Sequence, residues 1–411
     1  MRSPVAFLFV LVLYFAMDLY VYRGLRTLDP ATWVKRTFMV VHGLGYAYVL
    51  YAFFKFDPSA PSDEIRRGMQ TFMIWFVLLY VPKLPMIAIW LAEDFVRGGY
   101  ALFGNEGWPE RRKALGWLAV ALGTIPFLGI LDGWQFGRSR YRIKKHIARI
   151  PGLPEAFRGF RIVQISDIHS GSFTDPDEVQ KGIDAVLEAN GDAVVFTGDL
   201  VNNTADEIEP WMERFSQIKA PHGVFSILGN HDYGDYVPWP SPEVKEANLD
   251  RLARNQAEMG WTLLRNQRAV LTKDGAELEL LGIENWGLPP FPQYGRLDET
   301  LALCPDPATP KILLSHDPSH FDAEVLPNSA NIALTLSGHT HGMQFGIEIP
   351  GWFKWSPVKW KYPRWDGAYP WAKKRCTSTA DSATWPSPDA SECGLRSPSM
   401  NYNPLKTFAL V

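Results

Sequence analysis

The sequence predicts an α/β fold, with helices covering two packed β-sheets, preceded by an α-helical membrane region. Long apolar stretches fill the chain before residue 135, which indicates the helical region. From about residue 158, short β-rich runs alternate with polar or amphipathic segments, which is the pattern of an α/β domain. Five of these runs end in a side chain that can bind a metal ion.

Four apolar stretches, at residues 5–22, 37–54, 71–92 and 114–131, are each close to the ~20 residues that cross a hydrocarbon core. Tyr, Trp and Phe crowd their ends, as they do at membrane interfaces. We therefore predict about four transmembrane helices within residues 1–135. The first stretch also resembles a secretory signal, but no small-residue cleavage site follows it, so we expect it to be kept as an anchor.

We expect a multi-pass protein of the cell (inner) membrane, and the charges beside the apolar stretches give a slight preference for a cytoplasmic C-terminal domain. The basic linker at residues 136–157 favours that side, although Arg and Lys residues in the opposite loops compete with it. The linker could also lie on anionic headgroups. Lys83 has two explanations: a kinked helix whose lysine reaches the interface, which we prefer, or a functional cavity.

Composition excludes some partners. The formal net charge of −3 and pI near 6.3 provide no basic field, so no nucleic-acid polymer is expected as a partner. Three cysteines, Cys304, Cys376 and Cys393, cannot build a disulfide framework. Nothing in the sequence indicates an obligatory protein partner.

Each of the five β-rich runs leads into a polar residue, often after a glycine that permits a tight turn. Ligands in open α/β sheets lie beyond the carboxyl ends of the strands, so these residues should converge on one site. In chain order they are Asp167, His169, Asp199, Asn230, His316, His339 and His341. Between them, residues 177–190 and 241–258 have the length of covering helices, and Lys273-Asp274-Gly275 predicts a hairpin turn.

Carboxylate, imidazole and amide oxygen suit divalent Mn, Fe or Zn. Asp199 has two oxygens and could bridge two ions ~3.5–4 Å apart, as two-metal hydrolases require. Such a pair suits the cleavage of phosphoester bonds, in which the leaving oxygen needs a proton. His231 is the natural donor, and Asp232 could orient it or keep it charged. A metallopeptidase is less consistent, because no HExxH helix is present.

Read in order, DIH, GD, GNHD, a lone His and GHTHG resemble the five-part signature of the calcineurin-like metallophosphoesterase superfamily, and residues 154–162 resemble its membrane-associated bacterial branch. The resemblance implies a four-layer αββα sandwich at residues 158–374 and a dinuclear site of two divalent ions. It implies that His231 is the acid. It also implies one ion on Asp167, His169 and His341, a second on Asn230, His316 and His339, and Asp199 between them.

The tail at residues 375–411 departs from this family, because residues 376–394 show no strand or helix pattern and the usual terminal strands are missing. We hypothesise a frameshift near residue 375. Lost strands would expose a sheet edge. The expected function is hydrolysis of a phosphoester or pyrophosphate bond, on a substrate that could be lipid-linked or a nucleotide-sugar. The alternative is a catalytically impaired membrane scaffold with a metal-binding domain.

Specificity is expected to come from two loops, residues 233–240 and 285–294. Their aromatic side chains, Trp239, Trp286 and Phe291, could pack on a substrate or on each other. His146, His222 and His320 lie outside the patterns and are expected at the surface or in linkers.

Overall fold

A computed structural model describes residues 4–55, 75–103, 109–136, 141, 143–341, 346–349, 352–371, 374–378 and 407–410. The chain divides into two compact units, Met1–Gln135 and Phe136–Val411.

The first unit is helical in its described parts. Its helices are α1 (Pro4–Arg26), α2 (Thr32–Lys55), α3 (Lys83–Leu102) and α4 (Pro109–Phe136). Three segments are long and apolar enough to cross a membrane: Leu8–Arg26, Trp75–Leu102 and Glu110–Gly133. The fourth predicted stretch, residues 37–54, is also helical and lies within α2. The predicted helical membrane region is confirmed, with three candidate spans among the described residues.

Lys83 is buried rather than extended to an interface, so our preferred explanation for it is wrong. Its side chain is 6% exposed and pairs with the carboxylate of Asp18 on α1. The hydroxyl groups of Tyr46 and Tyr80 donate to the other oxygen of Asp18 at 2.5 and 3.2 Å, and His42 Nε2 lies 3.6 Å from the carboxylate. A lysine in an apolar helix bundle is tolerated when a counter-charge meets it, and Asp18 supplies that charge.

The second unit contains two six-stranded sheets and one separate hairpin. The strands are β1 (His146–Arg149), β2 (Arg161–Ile165), β3 (Ala193–Phe196), β4 (Val224–Ser226), β5 (Thr262–Leu263), β6 (Gln267–Lys273), β7 (Ala276–Gly282), β8 (Lys311–Leu314), β9 (Ile332–Ser337), β10 (Ile347–Ile349), β11 (Phe353–Trp355), β12 (Gly367–Trp371), β13 (Lys374–Ser378) and β14 (Thr407–Leu410). The sheet orders are β1-β14-β2-β3-β4-β5 and β12-β13-β9-β8-β7-β6, and β10 pairs with β11. Strands β2 to β5 are parallel, as are β7 to β9, which aligns their carboxyl ends.

Strand alternation explains the four layers. In β3, Val195 belongs to the core between the sheets, whereas Val194 and Phe196 face the helices outside. The outer helices are α5 (Pro176–Glu188), α6 (Met212–Phe215), α7 (Pro242–Glu258) and α8 (Leu297–Ala302). The predicted αββα sandwich is therefore confirmed.

Local sequence determines where the two long outer helices begin. The Asp175 carboxylate accepts the backbone N–H of Asp177 at 2.9 Å before α5, and Ser241 caps α7 in the same way. Both caps precede a proline at the first helical position, where its missing N–H costs nothing. The predicted hairpin is also present, as β6 paired with β7 around Asp274 and Gly275, both with positive φ.

The tail is not without strands, so that part of our prediction is wrong. Strand β13 pairs with β12 and β9, and β14 lies between β1 and β2 in the first sheet. Both strands cover sheet edges that the prediction left exposed. The remainder of the tail, residues 379–406 and residue 411, lies outside the described residues, and the frameshift remains a hypothesis.

Candidate metal centre

The seven predicted ligands come from the carboxyl ends of five parallel strands in two sheets. Strands β2, β3 and β4 lead to Asp167, Asp199 and Asn230, and β8 and β9 of the facing sheet lead to His316 and His339. Because these ends meet at one edge of the sandwich, residues separated by more than a hundred positions come within hydrogen-bonding distance.

The backbone turns sharply at the candidate site. Five of the seven residues have a left-handed backbone, with φ of 54° at Asp167, 48° at His169, 63° at Asp199, 71° at His339 and 44° at His341. This region is uncommon for residues with a side chain and costs free energy that the surrounding fold must supply. The turn aims side chains two positions apart, such as Asp167 and His169, at a common point.

Two glycines of the motifs lie so close to neighbouring side chains that no Cβ fits. A Cβ added at Gly229 would lie 2.2 Å from Asp199 Oδ1, and one at Gly338 would lie 1.9 Å from Ser166 Oγ and 2.4 Å from Asp167 Oδ2. No side chain fits at either position without moving a predicted ligand.

One group of candidate ligands contains Asp167, His169, Asp199 and His341, whose ligand atoms all lie within 4.8 Å of one another. The Nε2 atoms of His169 and His341 are 3.1 Å apart, and His341 Nε2 is 3.6 Å from Asp167 Oδ1. Two imidazole lone pairs cannot face each other at this distance without a proton or a cation between them. The group therefore fits a cation.

A second group contains Asp199, His316 and His339, also within 4.8 Å, and the amide of Asn230 joins it. Asn230 Oδ1 lies 2.7 Å from His339 Nδ1 and 3.2 Å from His316 Nε2. Asp199 is common to both groups. Its Oδ2 lies 3.2 Å from His316 Nε2 and 3.6 Å from His169 Nε2, one contact in each group.

Asp199 carries the strongest sign that a cation belongs here. Its side chain is 1% exposed, and Oδ2 makes no hydrogen bond of normal geometry with the described residues. A buried carboxylate oxygen without a partner is costly. A metal ion between the two groups would satisfy it, and the oxygen and imidazole donors suit the divalent ions of this kind of site.

The electrostatics of the site keep Asp199 ionised and favour a positive charge beside it. Burial alone would raise the pKa of Asp199, but the charge of His316 outweighs it and holds the pKa well below its usual range. Burial similarly opposes the protonation of His316, yet the Asp199 carboxylate raises the pKa of His316 to about 10. A cation at this point would take the place of that proton, so its binding releases a proton. Burial, with the charge of His316, lowers the pKa of His339 and keeps this imidazole neutral.

Hydrogen bonds select which imidazole nitrogen faces the candidate site. His316 Nδ1 donates to the Thr197 carbonyl at 2.7 Å, which leaves Nε2 to face the site. His339 Nε2 lies 2.8 Å from the Tyr362 hydroxyl and 3.4 Å from Asp317 Oδ2, which leaves Nδ1 to face the site. Such partners fix the tautomer and orientation of metal-binding histidines.

His231 lies beside the two groups. Its ring centroid is 4.8 Å from that of His169, and its Nδ1 is 2.8 Å from the Asn202 carbonyl. The backbone N–H of His231 donates to Asp199 Oδ1 at 2.9 Å. The ring is half-buried, and the bond through Nδ1 orients it with Nε2 pointing away from Asn202.

Asp232 does not orient His231, so the catalytic part we expected of it is corrected to a supporting one. Its carboxylate is fully buried and accepts four backbone N–H groups, at distances of 2.7–3.2 Å. These belong to Asp199, Leu200, Val201 and Gly229. Burial and the Asp199 carboxylate raise the pKa of Asp232, whereas the amide bonds oppose the rise. Asp232 thus ties the loop that carries Asp199 to the loop that carries Asn230.

Sequence reasoning missed Tyr236, Asp317 and Tyr362. Asn230 Nδ2 donates to the Tyr236 hydroxyl at 2.8 Å, which turns Oδ1 toward the second group. Asp317 follows His316 directly, which was the available signal. Tyr362 lies 23 residues beyond His339, and no local pattern connects the two.

Of the three aromatic side chains in the two predicted specificity loops, one lies at the candidate metal centre and two contact other parts of the protein. Phe291 reaches the site, with its ring centroid 5.0 Å from that of His339. Trp239 instead donates to the Gly234 carbonyl of its own loop, and Trp286 is buried against His320. His320, which we expected at the surface or in a linker, is fully buried and bonded to Ser315 and Glu324.

Known proteins share both parts of this chain. Residues 1–138 match the family described as "Probable Calcineurin-like phosphoesterase, transmembrane domain", and residues 160–343 match "Calcineurin-like phosphoesterase". The uncharacterized metallophosphoesterase YkuE of Bacillus subtilis is 30% identical over 237 residues, which cover 56% of this chain and 76% of that protein. A transmembrane protein with a metallophosphoesterase domain from Danio rerio is 32% identical over 204 residues, or 48% of this chain and 44% of that protein.

A further relative has a described activity. The UDP-2,3-diacylglucosamine pyrophosphatase LpxG of Chlamydia trachomatis is 27% identical over 244 residues, which cover 48% of this chain and 69% of that protein. These matches agree with the sandwich fold and with the two groups of converging ligands. The chain belongs to the calcineurin-like metallophosphoesterase family and joins its phosphoesterase domain to an N-terminal membrane domain.

Proposed function

We propose that this metallophosphoesterase cleaves a phosphoester or pyrophosphate bond of a lipid-linked substrate at the cell membrane, with two divalent ions. The observation that carries the proposal is the convergence of two ligand groups on the shared Asp199. When bound, the ions would draw charge from the phosphoryl oxygens and activate water for in-line attack. The intact set of ligands gives no support to the alternative of an impaired scaffold.

The residues divide the work as follows. Asp167, His169 and His341 would hold one ion, Asn230, His316 and His339 the other, and Asp199 would contribute to both. Water oxygen would form the new bond to phosphorus and release its proton to solvent, while the bond from phosphorus to the leaving oxygen breaks. His231 would donate the proton that this oxygen needs, from Nε2. The Asn202 carbonyl, 2.8 Å from Nδ1, would stabilise the charged imidazolium before transfer.

Two observations support a lipid-linked pyrophosphate as the substrate. The chain carries its own candidate spans, which keep the site near a bilayer. The relative LpxG is described as a pyrophosphatase of UDP-2,3-diacylglucosamine. The basic residues between 138 and 149 favour the cytoplasmic side for the catalytic unit. Reporter fusions to the C-terminus, active only in the cytoplasm, test that placement.

The test is hydrolysis of bis(p-nitrophenyl) phosphate, p-nitrophenyl phosphate and UDP-2,3-diacylglucosamine by the purified full chain with Mn²⁺. We expect Asp199→Asn to lose bound metal and activity together. His231→Ala should keep its metal and lose about 10²–10⁴-fold in rate, the usual contribution of a general acid. Matched controls are Asp184→Asn and His222→Ala, which change the same residue types outside the site.

The outcomes distinguish the parts of the proposal. Full activity in Asp199→Asn would contradict the shared ligand, and an unchanged rate in His231→Ala would contradict the acid. Cleavage of the soluble esters without cleavage of UDP-2,3-diacylglucosamine would support the phosphoesterase activity and refute this lipid-linked substrate. Two equivalents of metal by mass spectrometry would support the dinuclear site, and one would refute it.

A further inference from the structure

An aromatic surface lies on the catalytic unit, close to the candidate metal centre. It is formed by residues 352–361, which we call the aromatic loop, and includes strand β11. Trp352 is 81% exposed, Trp360 is 79% exposed and Phe353 is 46% exposed. Rings of this size on a protein surface indicate contact with another apolar partner when they are grouped.

All the charged residues of the aromatic loop are basic. Its ten residues include three tryptophans, one phenylalanine and three lysines, and no acidic residue. Lys354 pairs with Asp366, whereas Lys359 and Lys361 are exposed beside Trp360. Tryptophan with lysine is the composition of a lipid–water interface, where the ring lies at headgroup level and the cation meets anionic lipid.

The loop is built to hold these rings outward. Strand β11 pairs with β10 through three residue pairs. The Trp355 and Trp360 rings meet edge to face, with centroids 5.6 Å apart, and Ser356 caps the short helical turn that follows. The ion pair between Lys354 and Asp366 ties the loop to the chain beyond it. Backbone and side-chain contacts therefore hold the loop that carries the exposed rings.

The aromatic loop is continuous with the candidate metal centre. Lys361 Nζ lies 4.7 Å from the ring centroid of Phe291, and that ring contacts His339 with a centroid distance of 5.0 Å. The next residue, Tyr362, bonds to His339 Nε2 at 2.8 Å. The Lys361 end of the aromatic loop is therefore adjacent to the candidate metal centre.

We propose that the aromatic loop inserts Trp352, Phe353 and Trp360 into the headgroup region of an anionic bilayer. A bilayer is the expected partner because the N-terminal unit of the same chain carries three candidate membrane spans. The exposed Lys359 and Lys361 complement an anionic lipid surface. Lipid contact would place the metal centre at headgroup level. The contact with lipid does not depend on the proposed function. The presentation of a lipid-linked phosphate to the metal centre does rest on that function.

The contact is measured on the full chain in nanodiscs of phosphatidylcholine and phosphatidylglycerol. After Cys304, Cys376 and Cys393 are changed to serine, a single cysteine at position 352 or 360 is labelled with an environment-sensitive fluorophore. We expect blue-shifted emission and quenching by lipids with a spin label near the headgroup. Val244→Cys is the matched control, because Val244 is 44% exposed on α7 of the same unit and should stay unquenched.

Two results would overturn the proposal. Water-like, unquenched emission at 352 and 360, equal to that at 244, would show that the loop stays in solvent. Blue-shifted emission without lipid quenching would show that protein, either the helical unit or a second copy, covers the rings. Weaker quenching in nanodiscs of phosphatidylcholine alone would agree with the part assigned to Lys359 and Lys361.

Catalysis provides an independent readout. Trp352→Ser with Trp360→Ser should cleave bis(p-nitrophenyl) phosphate as the unchanged protein does, because neither ring touches a candidate ligand. Cleavage of UDP-2,3-diacylglucosamine in nanodiscs should fall about tenfold, if the two rings together contribute the ~1.4 kcal/mol that corresponds to this factor. Equal loss on both substrates would refute an interfacial role. Inactivity of the unchanged protein on both substrates would refute the proposed function and leave the quenching result standing.

Discussion

Tyr362 provides the sharpest test of how the second ligand group is oriented. Changing it to phenylalanine removes one hydroxyl and keeps the ring, whose centroid lies 5.3 Å from that of His339. For Nδ1 to face the metal, His339 must carry its proton on Nε2 and donate it to the Tyr362 oxygen, 2.8 Å away. Burial, followed by Asp317, raises the pKa of Tyr362, so the hydroxyl remains neutral and can accept.

The expected magnitude follows from the contacts. A neutral hydrogen bond contributes about 1 kcal/mol, or a factor of about five in affinity. Asp317 Oδ2 remains 3.4 Å from His339 Nε2 as a second acceptor, so Tyr362→Phe alone should weaken the binding of one metal ion by about fivefold. Tyr362→Phe with Asp317→Asn removes the hydroxyl that accepts from His339 and the negative charge of the second acceptor. The affinity for that metal ion should then fall about 10–100-fold.

The assay is calorimetric titration of the metal-free full chain in detergent with Mn²⁺ and Zn²⁺. We expect only one of two binding steps to weaken, because Tyr362 and Asp317 contact His339, a predicted ligand of the second group. The control is Tyr294→Phe, which removes a hydroxyl that bonds to Asp235 at 3.3 Å instead of to a candidate ligand. Thermal unfolding of the metal-free variants should show a cooperative transition, with a loss of stability of about 1–3 kcal/mol from the missing bond.

Binding of both ions by the double variant, folded and metal-free at the start, as tightly as by the unchanged protein would refute this role of Tyr362 and Asp317. His339 would then be oriented by packing alone. Equal weakening of both steps would also contradict it, because the orientation would then be shared across Asp199.

Three further predictions concern single positions. Gly338→Ala places a Cβ 2.4 Å from Asp167 Oδ2, so we expect about 1–3 kcal/mol of lost stability by thermal unfolding together with lost metal; retention of both would contradict the close approach. Asp232→Asn replaces a carboxylate that accepts four amides with a group that has one acceptor, and should destabilise the catalytic unit by about 1.5–3 kcal/mol in urea. A loss of rate with unchanged stability would instead restore a catalytic part for Asp232. Lys83→Met should cost about 3–5 kcal/mol in detergent by leaving the buried Asp18 carboxylate without its cationic partner. The double variant with Asp18→Leu should recover most of that loss, and equal damage in both would argue that the pair is not coupled.

The sequence alone determined the strands that lead to the candidate site and the convergence of the predicted ligands. Strands β2, β3 and β9 were predicted from apolar runs, and each ended in a residue that the structure brings to the site. This works because parallel strands place their carboxyl ends on one edge, so a local pattern specifies a position in space. Helix starts at Asp175 and Ser241 are equally local, since a cap bonds within its own turn.

Only the tertiary structure decided the contacts between positions that no local pattern relates. Asp232 was expected to touch His231, its neighbour in sequence, but four amides from two loops surround it. The same holds for Tyr362 against His339, and for Lys83 against Asp18, 65 residues away. Strand β14 lies between β1 and β2 in the first sheet, although its own sequence lacks a strong signal. Sequence periodicity records which face of an element is buried, whereas the partner of a buried polar group is selected by packing.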